Sequence, residues 1–295
     1  MRRSAGRVSI RCWIRALKAA ISEPIDVVWS FDFNFFSNLR AFGSGLSIFH
    51  PVDPLSQPHQ INVARSADCV FSVSEKILAN FRRMNVPRWF INHGLSRPFE
   101  EIARSPAVDS TNRRGPRVGY AGNLMQKPVN RPVLGAMVES NPEAEFHFWG
   151  TFAGTAEDSP DWIHFVQFLQ GKPNAILHGP VSPEELATRL RDMDCMVLAY
   201  SADSRDFDRS NSHKILEYLS TGKVVVSSRI STYEKEPDLL RMPDTDDDSG
   251  LPALLRDTLS RLPEFNSESL QSLRRSFALD NTYSKQLDRI ESRLD

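Results

Sequence analysis

The chain has 295 residues, enough for one large or two medium domains. A hydrophobic share of 40% with 25% charged residues is that of a soluble globular protein, and argues against a disordered or membrane-embedded one. The formal net charge of −1 leaves no electrostatic case for nucleic acid as a partner.

Residues 1–10 lack a continuous apolar stretch, so no signal peptide is expected. Residues 11–21 set Trp13, Ile14, Leu17 and Ile21 against Arg11, Arg15 and Lys18. That spacing predicts a basic amphipathic helix, which either packs on a sheet or lies on a membrane surface. Residues 25–30 predict a buried strand after Pro24, and 31–36 an aromatic loop or helix start. Strands follow at 46–50, 69–74 and 89–92, with helices at 61–67 and from a Ser74 cap to about Met84. Alternating strands and helices predict a parallel, doubly wound sheet.

Residues 104–116 carry Ser, Pro, Asn, Arg and Gly without an apolar period, and predict a linker. A second α/β series then runs through strands at 117–121, 144–149, 175–178 and 195–200. Helices are expected at 132–140 and from Ser182 to about Arg191, the latter with a serine cap, Pro183 and two acids in its first turn. An acidic loop with Asp244, Asp246, Asp247 and Asp248 is read as solvated, its spacing unlike a calcium loop. Helices near 251–262 and 266–295 close the chain. The three cysteines, Cys12, Cys69 and Cys195, have no metal-ligand spacing. Cys69 and Cys195 each open an apolar run, so buried free thiols in a reducing cytosol are expected. No apolar run reaches the roughly 18 residues that a spanning helix needs.

The stretch 210–228 carries the strongest chemical signal. Ser210, Asn211 and Ser212 are good caps, Gly222 suits a left-handed helix end, and Val224 to Val226 suit a buried strand. On the helix between them, Ile215, Leu216 and Leu219 form one face, with His213, Lys214, Glu217 and Tyr218 on the other. Its first turn holds His213 and Lys214 and no acid. Cations there oppose the helix dipole, and a bound anion would reverse that penalty. Glu217, one turn on, could accept hydrogen bonds from ribose hydroxyls; a solvated Lys-Glu pair is the plainer alternative. Two α/β domains in series predict a cleft between them, with ligands at the carboxyl ends of the strands. In the second domain those ends carry Gly122-Asn123, Gly150, Gly179 to Val181, the 201–209 loop and the start of the 213 helix. Several glycines beside an anion-ready helix point to a nucleoside diphosphate site.

With these residues in view, the second domain resembles the donor-binding domain of GT-B glycosyltransferases, and most closely the retaining family 4 (group 1) enzymes of bacterial polysaccharide synthesis. The resemblance is carried by VGYAGNL at 118–124 with Lys127, FHFWG at 146–150, ILHGPV at 176–181 and HKILEYLSTGKVVV at 213–226. The last is similar to the family's KxxEYLAxGKPVV block. In the first domain, ADCVFSVS at 67–74 and the Asn92 to Phe99 segment look alike to family elements, as does NTYS at 281–284. The resemblance covers residues 25–295. It implies two Rossmann-like domains facing a cleft: residues 1–103 on the acceptor side, 117–265 binding the donor, and 266–295 as helices crossing back. It implies Glu217 on the donor ribose, residues 210–214 with Lys127 and Arg131 on the diphosphate, and Gly179 to Val181 along the base. It implies a nucleotide-sugar substrate, a glycan or lipid-linked acceptor, no cofactor and no metal. The expected location is the cytoplasm or the inner face of the membrane.

Two departures stand out. Family members often carry a second Glu eight positions before the one matched by Glu217, where this chain has Arg209. The first domain is also short for the family, as in a fragment, a late-started reading frame or a degenerate homologue. His50 and Asp53 end a first-domain strand and are the candidate catalytic pair; His93 ends another strand. A lone strand-end histidine is more often a hydrogen-bonded structural residue, and a retaining mechanism can do without an enzymic base because the donor phosphate can accept the proton. The competing readings are a non-catalytic nucleotide-binding subunit and a nucleotide-sugar epimerase of related fold.

Overall fold

The computed structural model describes residues 9–21, 23–32, 34–53, 55, 60–105, 115–152, 161–201 and 209–294. The chain divides into two compact units, Met1–Asn92 and His93–Asp295.

In the first unit, α1 (Ser9–Ile21) precedes β1 (Val27–Ser30) and a short 3-10 turn, Leu39–Phe42. Then come β2 (Leu46–Phe49), α2 (Ile61–Ser66), β3 (Cys69–Ser72), α3 (Glu75–Ala79) and β4 (Arg88–Phe90). All four strands are parallel and lie in chain order, β1-β2-β3-β4. Phe49, Val63, Val70, Ile77 and Phe81 centre its core. The described residues among 31–36 form the loop that was one of two expectations for the stretch. Ser74 caps α3 by accepting from the Lys76 and Ile77 amides. The helix ends well before Met84. Asn80 turns its side-chain amide back onto the Ile77 carbonyl at 3.0 Å, a local bond that competes with the helix.

The second unit opens with α4 (Arg97–Arg104), followed by β5 (Arg117–Ala121), α5 (Arg131–Ser140), β6 (Glu145–Trp149) and α6 (Asp161–Gln170). It continues through β7 (Ala175–Gly179), α7 (Pro183–Arg191), β8 (Cys195–Leu198), α8 (His213–Ser220) and β9 (Val224–Ser227). Four helices follow: α9 (Leu251–Ser260), α10 (Leu262–Phe265), α11 (Glu268–Asp280) and α12 (Tyr283–Leu294). The five parallel strands lie in the order β7-β6-β5-β8-β9. The chain winds outward from β5 in one direction, then returns to β8 on its other side. That reversal between β5 and β8 is a topological switch point, where such sheets open a crevice at their carboxyl edge.

Val224, Val225 and Val226 have no exposed surface, as a strand covered on both faces requires. Gly222 ends α8 at φ +79 and presses against Gln271 and Arg275 of α11. Arg274, 2% exposed, reaches from α11 and donates to the carbonyls of Gly222 and Phe265. Taking that guanidinium out of water lowers its pKa to about 10.

Several expectations change. α4 and α6 were not foreseen. The helices expected over 266–295 are α11 and α12, which meet at Asn281, whose carbonyl accepts from the Leu95 amide at 2.7 Å. The helix expected near 251–262 is α9, which ends at Ser260, and α10 then begins afresh with Pro263 in its first turn. Residues 106–114 of the expected linker and most of the 201–209 loop lie outside the described residues. Cys69 and Cys195 are buried free thiols, and Cys12 is exposed.

Candidate functional site

At the switch point of the second sheet the strand ends and the start of α8 enclose a cavity of about 280 Å³. β5 contributes Ala121, Gly122 and Asn123; β6 contributes Trp149, Gly150 and Thr151. Pro180 and Val181 follow β7, Leu186 comes from α7, and α8 presents His213, Lys214 and Glu217. Backbone bonds tie the turns together: the Gly122 amide donates to Trp149 O at 2.8 Å, and the Gly150 amide to Gly179 O at 2.9 Å. Gly150 has φ +124, and a methyl group there would lie 2.2 Å from the Gly122 carbonyl oxygen. Only glycine lets these two turns touch.

α8 is held at this edge by two tyrosine hydroxyls. Tyr218 Oη accepts from the Ala121 amide at 2.8 Å and donates to the Ala121 carbonyl at 3.3 Å. This joins the helix to the end of β5. Tyr200, just beyond β8, sets its hydroxyl 2.9 Å from Ser212 Oγ and 3.5 Å from Lys214 Nζ. Ser212 occupies the N-cap position, yet its side chain makes no capping bond because its hydroxyl faces Tyr200. The loop before it is pinned by the Ser210 carbonyl, which accepts from Thr232 Oγ1 at 2.7 Å.

The electrostatics are uneven. No carboxylate forms an ion pair with Lys214 among the described residues. Glu217 is half-buried; loss of water pushes its pKa up to about 7, and the Lys214 charge opposes that rise. His213 is exposed at the rim, its ring 6.0 Å from that of His93. Crowding by protein, then the charges of Lys214 and His93, push its pKa down to about 4. At neutral pH the start of α8 therefore presents one ammonium, a neutral imidazole and an uncapped helix end, with a carboxyl poised between its two forms.

Gly122, Asn123, Gly150, Val181, His213, Lys214 and Glu217 thus come together as expected from the sequence. Gly179 stands behind them through its bond to Gly150. Asn211 and Ser212 are buried beneath the helix start. Lys127 and Arg131 line a different cavity of about 600 Å³, beside α5 and α6. The Arg131 guanidinium is held there by the carbonyls of Leu124 and Gln126, at 3.0 and 2.7 Å. His50 and Asp53 belong to the first unit. His50 is buried among aromatic rings, 4.9 Å from Phe31 and 5.9 Å from Trp29, whereas Asp53 is exposed.

Two other readings are corrected. Tyr218, assigned to the polar face of its helix, has no exposed surface, and its hydroxyl lies on the Ala121 backbone at the end of β5. Asp248, placed in a solvated loop, is buried and paired with Arg209 at 2.5 Å. It also accepts from Ser228 Oγ and Asn130 Nδ2. Residue Arg209 therefore turns into a buried network that also includes the Tyr200 carbonyl, and does not line the cavity. Sequence reasoning missed Tyr200, whose only signal was its place at a strand end.

No protein-family description matches the chain, and no curated protein matches it in sequence. Solved structures do match its fold. Sucrose-phosphate synthase from Thermosynechococcus elongatus superimposes with a TM-score of 0.70 at 14% identity, over 100% of this chain and 80% of that one. HepE from Anabaena, solved with UDP and glucose, gives 0.70 at 13% identity over 98% and 82%. A glycosyltransferase from Rickettsia africae gives 0.68 at 11% identity over 96% and 79%. At such identities the likeness is one of fold, and that fold is GT-B, with Rossmann-like parallel α/β domains.

Proposed function

We propose that the protein is a glycosyltransferase that moves a sugar from a nucleotide-sugar to a glycan or lipid-linked acceptor. The observation that carries this reading is the pairing of Lys214 and Glu217, one turn apart on α8, inside the glycine-walled cavity at the switch point. The diphosphate sits at the start of α8, where free amides, the helix dipole and Lys214 meet its charge. Glu217 takes the ribose hydroxyls, and the Pro180–Val181 turn borders the base. Gly122 and Gly150 let the backbone approach the phosphates and the sugar.

As the donor bond breaks, negative charge grows on the departing diphosphate. Lys214 and the helix start lie where that charge develops, which is how such a site lowers a barrier without a metal ion. HepE has been solved with UDP-glucose, which makes UDP-sugars the first donors to try. The resemblance in sequence adds polysaccharide or cell-envelope synthesis at the inner face of the membrane as the setting. Asp53, which is exposed, and His50, which is buried, remain the acid/base candidates of the first unit.

The test is a thermal-shift screen against UDP, GDP, dTDP, ADP and CMP and their sugars. A ligand that binds only the folded state adds RT ln(1 + [L]/Kd), about 2.7 kcal/mol at a hundredfold excess over Kd. One diphosphate should stabilise the chain, with the shift lost in Lys214→Ala and weakened in Glu217→Ala. A shift that survives Lys214→Ala unchanged would refute the diphosphate assignment. Binding without sugar transfer to any acceptor would instead favour a non-catalytic subunit.

A further inference from the structure

Large apolar side chains are exposed at ten described positions, and five of them fall between residues 13 and 35. They are Trp13, Ile21, Val27, Phe31 and Phe35, the last 72% exposed. Trp13, Ile21 and Phe31 share the lining of one groove, and exposed apolar side chains gathered in one place mark a surface that meets something other than water. Trp13, Leu17, Ile21, Trp29, Phe31 and Phe36 line this groove of about 520 Å³. Trp13 rests 5.6 Å from the Phe36 ring.

The presentation of these rings is built into the fold. The Asp32 carboxylate accepts from the amides of Asn34, Phe35 and Phe36 at 3.1, 2.7 and 3.1 Å. Those three bonds fix the turn that carries Phe35 outward. α1 buries Ile14 at 5% exposure, while Trp13, Arg15, Lys18 and Ile21 stay exposed. Over residues 1–22 the sequence has six basic side chains and no acidic one. Glu23 and Asp26 follow directly and bound the basic stretch.

We infer that this face of the first unit, α1 with the 27–36 segment, docks on an anionic lipid surface. Exposed tryptophan and phenylalanine sit well at the boundary between headgroups and acyl chains, and lysine and arginine beside them meet the lipid phosphates. A second copy of this chain would satisfy the rings but would set one basic segment against another. The inference rests on the acceptor half of the proposed function, in which a lipid-linked acceptor is reached at the membrane. The donor half is tested separately by nucleotide binding at the second unit.

The experiment is co-sedimentation of the full chain with phosphatidylcholine vesicles, with and without phosphatidylglycerol, at two salt concentrations. Binding should require the anionic lipid and weaken with salt. It should fall at least about tenfold in Trp13→Ser/Phe35→Ser and in Arg15→Gln/Lys18→Gln. Each variant should keep the wild-type circular dichroism and the nucleotide-induced thermal shift, which separates lost docking from lost folding. Three outcomes overturn the inference: no binding to anionic vesicles, equal binding by all variants, or a concentration-dependent dimer that Trp13→Ser/Phe35→Ser abolishes.

Discussion

At the scale of single residues, Glu217 sets a pH dependence whose sign is fixed by its surroundings. Its pKa rises from the usual 4.5 to about 7 in the folded chain because water is withdrawn, with Lys214 offsetting part of the rise. An acid with a raised folded pKa holds its proton in the folded state longer than in the unfolded one. Its contribution to stability is therefore greatest below pH 4.5 and declines as pH climbs to about 7. Replacement by glutamine should raise stability at pH 8 by something on the order of 1 to 3 kcal/mol. Nucleotide binding runs the other way. Ribose hydroxyls donate to the ionised carboxylate, so affinity should rise about tenfold between pH 6 and pH 8. Titration calorimetry with the nucleotide-sugar checks this, since its diphosphate does not titrate over that range. In Glu217→Gln the pH dependence should vanish; if it persists, some other group is responsible. His213 does not confuse the result, its pKa of about 4 lying below the window. The residue that makes the site is thus one that the fold would be steadier without.

At the scale of elements, the cavity depends on backbone contact between two turns. Gly150 adopts φ +124 with no room for a side chain, its would-be methyl carbon lying 2.2 Å from Gly122 O. Gly150→Ala should cost about 1–3 kcal/mol in backbone strain alone, and it should also push apart the turns after β5 and β6. Loss of nucleotide affinity is expected even at temperatures where the variant stays folded. Gly250→Ala, with nothing within 4 Å, should be neutral in both respects. Calorimetric unfolding and binding on the two variants decide the matter; equal behaviour would mean that the turns do not shape the site. Elements also explain what the sequence made legible. Short apolar runs closed by glycine marked β5, β6 and β7, apolar runs alone marked β8 and β9, and the polar start of α8 marked the site itself. α4 and α6 did leave signals: Ser96 with Pro98, and the spacing of Trp162, Phe165, Val166 and Leu169. Amphipathic spacing also misplaced Tyr218, because its hydroxyl turns in to the Ala121 backbone at the end of β5, a tertiary contact that helical periodicity does not show. The pairing of Arg209 with Asp248, 39 residues apart, and the Tyr200–Lys214 contact are made by tertiary packing. No local pattern encodes them.

At the scale of the whole molecule, the two units have cores with no member in common. One runs through Phe49, Val70 and Phe81, the other through Phe148, Val197, Leu219 and Val225. Each unit holds one buried cysteine. Burial and Asp68 push the Cys69 thiol up to about 11, and burial pushes Cys195 up to about 12. Neither forms a thiolate at pH 8 while its unit is folded, so each reports the opening of its own unit. In a Cys12→Ser background, where the exposed thiol is removed, a thiol reagent applied across a urea series should give two labelling midpoints. A nucleotide that binds at α8 should move the Cys195 midpoint upward and leave Cys69 where it was. Coincident midpoints that shift together would mean that the chain unfolds as one cooperative body, and that the separate cores are no guide to its energetics. With two midpoints, the urea needed to expose Cys195 converts directly into the binding free energy of the donor site. That measurement needs no acceptor, so it reads the donor half of the proposed reaction by itself.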